Sequence, residues 1–95
     1  MVSQKVTIHN PVGLHLRPAG ILCQEAMRYS CRVKFRYGRD GENTANCKSI
    51  LSILGARIRP GDEIELICDG TDEIEAMHAL ISLIADGLGD NTLIR

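Results

Sequence analysis

The sequence predicts an α+β domain: a four-stranded antiparallel sheet with helices on one face and the other face wet. Three observations predict it. Stretches of alternating polarity and of helical spacing follow one another as strand, helix, strand, strand, short helix, strand, helix. A glycine-flanked turn, Gly38-Arg39-Asp40-Gly41, joins the second and third strands directly and makes them a hairpin. The apolar residues Ile74, Met77, Ile81, Ile84 and Leu88 recur every three or four positions, which marks an amphipathic last helix.

Each element follows from its own residues. Val6-Thr7-Ile8 alternates, with Lys5 and His9 on the polar side, as a half-buried first strand does. Asn10-Pro11-Val12-Gly13 is a cluster of turn formers that ends it. Leu22, Ala26 and Tyr29 then recur at helical spacing, predicting a first helix from Leu16 to about Ser30. The second strand is the alternating run Cys31–Tyr37, and the third is Glu42–Asn46. Ser49 as N-cap and Gly55 as stop bracket a short helix between them. Asp62–Cys68 is the fourth strand, and Thr71-Asp72-Glu73-Ile74 has the form of a capped, acidic helix start. The core is expected over about residues 2–88, with a loose tail at 89–95.

Ninety-five residues make a single domain, 1–95, and a hydrophobic content of 44% suffices for one core. Trp is absent and the chain has one Phe and two Tyr, so the core is aliphatic and base-stacking platforms are missing. A net charge of −1 removes the electrostatic half of a nucleic-acid interface. No apolar run is long enough to cross a membrane. The four cysteines, Cys23, Cys31, Cys47 and Cys68, contain no C-x-x-C pair and fit no zinc template. They are expected to be reduced in a cytoplasmic chain whose first residues run straight into a strand, with no metal or other cofactor.

The chemistry concentrates in Gly13-Leu14-His15-Leu16-Arg17-Pro18-Ala19. Pro18 suits a first helical turn, so the helix begins near His15 or Leu16, with unpaired backbone N–H groups beside both side chains. A helix N-terminus carries about half a positive charge and binds phosphate. A nucleophilic imidazole at His15, a guanidinium at Arg17 to neutralise charge and a helix end to cradle it make a phosphoryl-carrier site; on spacing alone, a surface N-cap at His15 and an ordinary solvated charge at Arg17 fit equally. His9 and His78 read as solvated surface, and Cys47 as an inert small residue.

Asn10–Ala19, Lys48-Ser49-Ile50 and the element order resemble HPr, the histidine-containing phosphocarrier family of the bacterial phosphoenolpyruvate-dependent sugar phosphotransferase system. The resemblance runs from about Val2 to Leu88. It implies an open-faced β-sandwich (βαββαβα, three helices on one face) and a phosphoryl group on Nδ1 of His15, assisted by Arg17. Enzyme I, charged by phosphoenolpyruvate, would be the donor and sugar-specific IIA domains the acceptors. The chain is then a carrier and not an enzyme. Ser49 resembles the regulatory serine of the family in low-GC Gram-positive bacteria, which implies a serine kinase/phosphorylase and a catabolite repressor as partners; serine is equally a plain N-cap. Ile50, Leu51, Ile53 and Leu54 are more apolar residues than a one-turn helix can bury on one face, so Ile50, Leu51 and Leu54 are expected to dock partner proteins together with Leu16, which adds an apolar side chain beside the histidine.

Three positions depart from the family pattern. Leu16 stands where Ala is common, Ser52 where Gly is frequent, and the loop around Gly38–Glu42 is longer. Two other functions fit the residues: a regulatory paralogue in nitrogen or dihydroxyacetone-kinase signalling, and a Ser49-dependent effector without phosphotransfer. A monomer is expected, because no long apolar edge strand is evident.

Overall fold

A computed structural model describes residues 1–90. Its elements are β1 (Val2–Thr7), α1 (Leu16–Ala26), β2 (Arg32–Tyr37), β3 (Asn43–Asn46), α2 (Ile50–Gly55), β4 (Glu63–Asp69) and α3 (Glu73–Ala85). The strands form one four-stranded antiparallel sheet in the order β1-β4-β2-β3. The edge strands are β1 and the short, polar β3, whose residues Asn43, Thr44 and Asn46 are all exposed. Among the described residues, no helix is long and apolar enough to cross a membrane.

Alternation sends Val33, Phe35, Ala45, Ile64, Leu66 and Cys68 to the helix-covered face, where they are buried with Leu22, Ile53 and Leu80. Ile67 is buried too, although it lies on the opposite face of β4. It sits at the register of Ser3 on one side and Lys34 on the other. A central strand has neighbours on both edges, so a single aliphatic residue on the wet face can be covered by theirs. All four cysteines are free and buried. Burial pushes the Cys68 thiol up to about 12 and the Cys47 thiol higher still, so both stay protonated. Cys47 is thereby an inert core residue.

Two helices differ from the sequence reading. The first ends at Ala26, not near Ser30: Arg28 and Tyr29 donate to the carbonyls three residues back, at 3.1 and 3.2 Å, in a tightened final turn. In α3 the buried stripe is Ala76, Met77, Leu80 and Ile84, while Ile74 is 56% exposed and Ile81 half-buried. Apolar residues surround most of this helix, so spacing alone selects a face rotated from the true one.

The start of α3 also uses its acid in an unexpected way. Asp72 is the N-cap but makes no side-chain cap bond. Its carboxylate instead accepts from the backbone N–H groups of Ser30 and Cys31, both at 2.9 Å, and so ties the α1–β2 turn to α3. The Ser30 N–H holds the Asp72 carboxyl below the ordinary 3.8; burial opposes this and the Cys31 N–H adds to it. A depressed folded value stabilises the fold above the unfolded value and is lost as pH falls through the folded one. Asp72→Ala is therefore expected to lower the denaturant midpoint at neutral pH. The gap to the parent chain should shrink below pH 3.8, as paired denaturation curves across pH would record.

Candidate functional site

The site is built where β1 passes into α1. Ile8 is buried and held by backbone bonds, donating to Asp62 at 2.9 Å and accepting from Gly61 at 2.8 Å. The chain then turns through Asn10-Pro11-Val12-Gly13, closed by the Gly13 N–H on the Asn10 carbonyl at 2.9 Å. Gly13 has φ +71, and a Cβ there would meet the Ile58 carbonyl oxygen at 2.1 Å. Only glycine fits this backbone-to-backbone approach. Leu14 follows, 3% exposed, its N–H on the same Ile58 carbonyl at 3.0 Å. The turn and this anchor together fix His15 at the mouth of the helix.

His15 is the N-cap of α1, in extended geometry and with no side-chain cap bond. Its carbonyl accepts from Ala19 at 2.9 Å. Pro18 and Ala19 are buried, locking the first turn onto the core, while Leu16 and Arg17 face out. A helix always leaves its first N–H groups without intrahelical partners. Those of Leu16 and Arg17, the two residues that follow His15, therefore have no partner within the helix, and α1 has no acidic residue in its first turn to compete for them.

The imidazole is 38% exposed and its Nε2 lies 3.1 Å from Oδ2 of Asp90. Asp90 reaches it because the chain doubles back after α3. Leu88 is fully buried at φ +48, between Gly87 at φ +91 and Gly89 at φ +85. The Asp90 N–H donates to the Gly87 carbonyl at 2.8 Å. Asn10, 5% exposed, donates through Nδ2 both to that carbonyl (2.9 Å) and to Oδ2 of Asp90 (3.0 Å). The Asn10 amide holds the Asp90 carboxyl below its ordinary value; burial opposes this, and His15 and Arg17 reinforce it. Among the described residues, the Arg17 guanidinium enters no ion pair.

The other candidates that the sequence offers belong to α2 and to the exposed start of α1, and these two helices pack together. Ser49 caps α2, its Oγ accepting from the Ser52 N–H at 3.2 Å. Ser52 turns its own hydroxyl to the Asn46 N–H at 2.8 Å. Leu51 is 82% exposed, Leu16 67% and Ile50 38%, whereas Ile53 is buried and Leu54 is half-buried against the core. The α2 segment thus has fewer free apolar residues than its composition suggests, with Leu51 the most prominent.

Three participants do not stand out in the sequence. Asn10 reads there only as a turn former, although it is the sole buried polar side chain among the described residues. Val12, 67% exposed on the same turn, adds an apolar side chain next to the motif. Asp90 falls in the stretch expected to be a loose tail, and this is corrected for Gly89 and Asp90: the buried Leu88 and the Asn10 amide pin them to the site. Residues 91–95 lie outside the described residues. The signal in the sequence is Gly87-Leu88-Gly89, two glycines around a leucine, which is a helix-terminating wrap and not an open end.

The model of one family, the PTS HPr component phosphorylation site, matches residues 2–86. The chain belongs to the HPr family. It is 34% identical over 86 residues to the phosphocarrier protein HPr of Lysinibacillus sphaericus, covering 90% of this chain and 94% of that one. It is 39% identical over 84 residues to the HPr-like protein Crh of Halalkalibacterium halodurans, covering 88% and 96%. Among solved structures, HPr-C-His from Thermoanaerobacter tengcongensis superposes with a TM-score of 0.86 at 33% identity, covering 96% of this chain and 99% of that one. The HPr of that organism has also been solved as a dimer, with a TM-score of 0.71 at 34% identity, covering 94% and 99%. The family is one of phosphocarrier proteins of the phosphotransferase system, not of catalytic enzymes. The open sheet covered by three helices is the fold that the sequence predicts.

Proposed function

We propose that the chain accepts a phosphoryl group on Nδ1 of His15 from enzyme I and passes it to IIA domains during sugar uptake in the cytoplasm. The observation that carries this reading is a half-exposed imidazole at an uncapped helix N-terminus. Asp90 engages Nε2, so Nδ1 is the nitrogen left to attack phosphorus. The developing phosphoryl charge meets the first N–H groups of α1 and the Arg17 guanidinium, which stabilise it by charge-assisted hydrogen bonds. A carrier must also release its group, and a shallow, open site leaves phosphorus accessible to an incoming acceptor.

Docking is assigned to Leu16, Ile50, Leu51 and the exposed edge of Leu54, apolar surface on the two helices that pack together, α1 and α2. Leu51→Glu is expected to raise the apparent KM of enzyme I for the carrier by about tenfold or more. Its melting temperature should be unchanged, because the side chain is already 82% exposed. Steady-state phosphotransfer kinetics and a thermal melt check both.

Ser49 is read as a regulatory phosphorylation site for a serine kinase/phosphorylase, with a catabolite repressor as reader. A phosphate at the start of α2 would add nearly two negative charges beside the docking surface. The working unit is taken to be a monomer, supported by the short polar β3 edge.

The test is incubation with enzyme I, Mg²⁺ and phosphoenolpyruvate, followed by intact mass before and after brief acid treatment. One acid-labile phosphoryl group is expected. No uptake, beside a competent carrier in the same assay, would overturn the reading in favour of the Ser49 effector.

A further inference from the structure

We propose that Asp90 is a positioning residue for phosphoryl transfer, fixing the proton of His15 on Nε2 and thereby presenting the Nδ1 lone pair. This rests on the carrier reading above and deepens it. A carboxylate only accepts hydrogen bonds, so a contact of 3.1 Å between Oδ2 and Nε2 requires the proton on Nε2. The acid is itself held in place. Asn10 donates to the same oxygen at 3.0 Å and ties it to the Gly87 carbonyl, and the buried Leu88 anchors the wrap that delivers it. The Asn10 amide also keeps the group ionised by holding its carboxyl below the ordinary range.

The arrangement has a consequence for the chemical step. The Nδ1 lone pair forms the N–P bond as the bond from phosphorus to the donor breaks, its electron pair leaving with the donor. No proton moves, so the ring keeps its Nε2–H and becomes a cation. Asp90 faces that cation across the ring from the phosphoryl group and stabilises it, as the carboxylate of a catalytic triad stabilises its imidazolium. When the acceptor attacks, the N–P pair returns to Nδ1 and the ring is neutral again. Arg17 and the Asn10 amide offset the charge of the carboxylate, limiting its repulsion of the phosphoryl dianion.

The test combines a spectroscopic and a kinetic readout on the full chain. Long-range proton–nitrogen correlation of neutral His15 reports which ring nitrogen carries the proton. The parent chain is expected to hold it on Nε2, and Asp90→Ala to move the ring toward the mixed tautomers of a free imidazole. The rate of charging by enzyme I should fall about tenfold to a hundredfold in Asp90→Ala, the range typical of a lost orienting partner. Asp90→Asn keeps the volume but not the charge, and should also charge slowly, because an amide does not stabilise the ring cation. A tautomer unchanged in Asp90→Ala, or charging at the parent rate in both variants, overturns the proposal. A parent chain that fails to charge while its proton sits on Nε2 instead overturns the carrier reading.

Discussion

His15→Ala is expected to take up no acid-labile phosphoryl group from enzyme I while melting within a few degrees of the parent chain. The two halves of that expectation have separate causes. Charging needs a nucleophilic nitrogen at the mouth of α1, and neither His9 nor His78 stands at a helix N-terminus: His9 follows β1, and His78 lies inside α3. Stability depends little on the ring, because it is 38% exposed and makes no side-chain cap bond. Among the described residues, its one side-chain hydrogen-bond partner is Asp90. Losing such a hydrogen bond costs about 1 kcal/mol, and the backbone carbonyl of residue 15 still receives the Ala19 N–H. Intact mass after charging, paired with a thermal melt, reads both.

Gly13→Val has the opposite profile, a folding defect that takes function with it. At φ +71 a β-branched residue is strained, at a cost of roughly 1–3 kcal/mol. The added Cβ would also overlap the Ile58 carbonyl oxygen, 2.1 Å away, and the Arg59 Cα at 2.9 Å. Both are backbone atoms, so relief requires moving the segment between α2 and β4; overpacking of this kind costs about another 1–3 kcal/mol. Each kcal/mol lowers the melting point of a domain this size by roughly 4–8 °C. A drop well beyond about 10 °C is therefore expected, with charging lost in proportion to the folded fraction. A Gly13→Val chain melting like the parent would mean that the turn does not fix the site.

Much of this is legible in the sequence, for identifiable reasons. Gly38-Arg39-Asp40-Gly41 between two alternating runs requires a hairpin, and β2 and β3 pair there. The turn formers before His15 and the proline three residues after it locate the start of α1 to within a residue. Ser49 and Gly55 bracket α2 as expected. What stays hidden depends on partners distant in the chain. Asp72 looks like a cap, but Ser30 and Cys31 claim its carboxylate from 42 and 41 residues away. Ile67 breaks alternation because β4 is central, and strand order is not written in local pattern. Asp90 meets His15 from 75 residues away and Asn10 from 80, so no short window along the chain contains that network.

The most direct measurement is a long-range proton–nitrogen spectrum of the chain, nitrogen-labelled in histidine, before and after charging with enzyme I and phosphoenolpyruvate. A phosphoryl group on Nδ1 of His15, with the proton retained on Nε2 facing Asp90, is the predicted result. Phosphorylation on Nε2 of His15, or on His9 or His78, would contradict it.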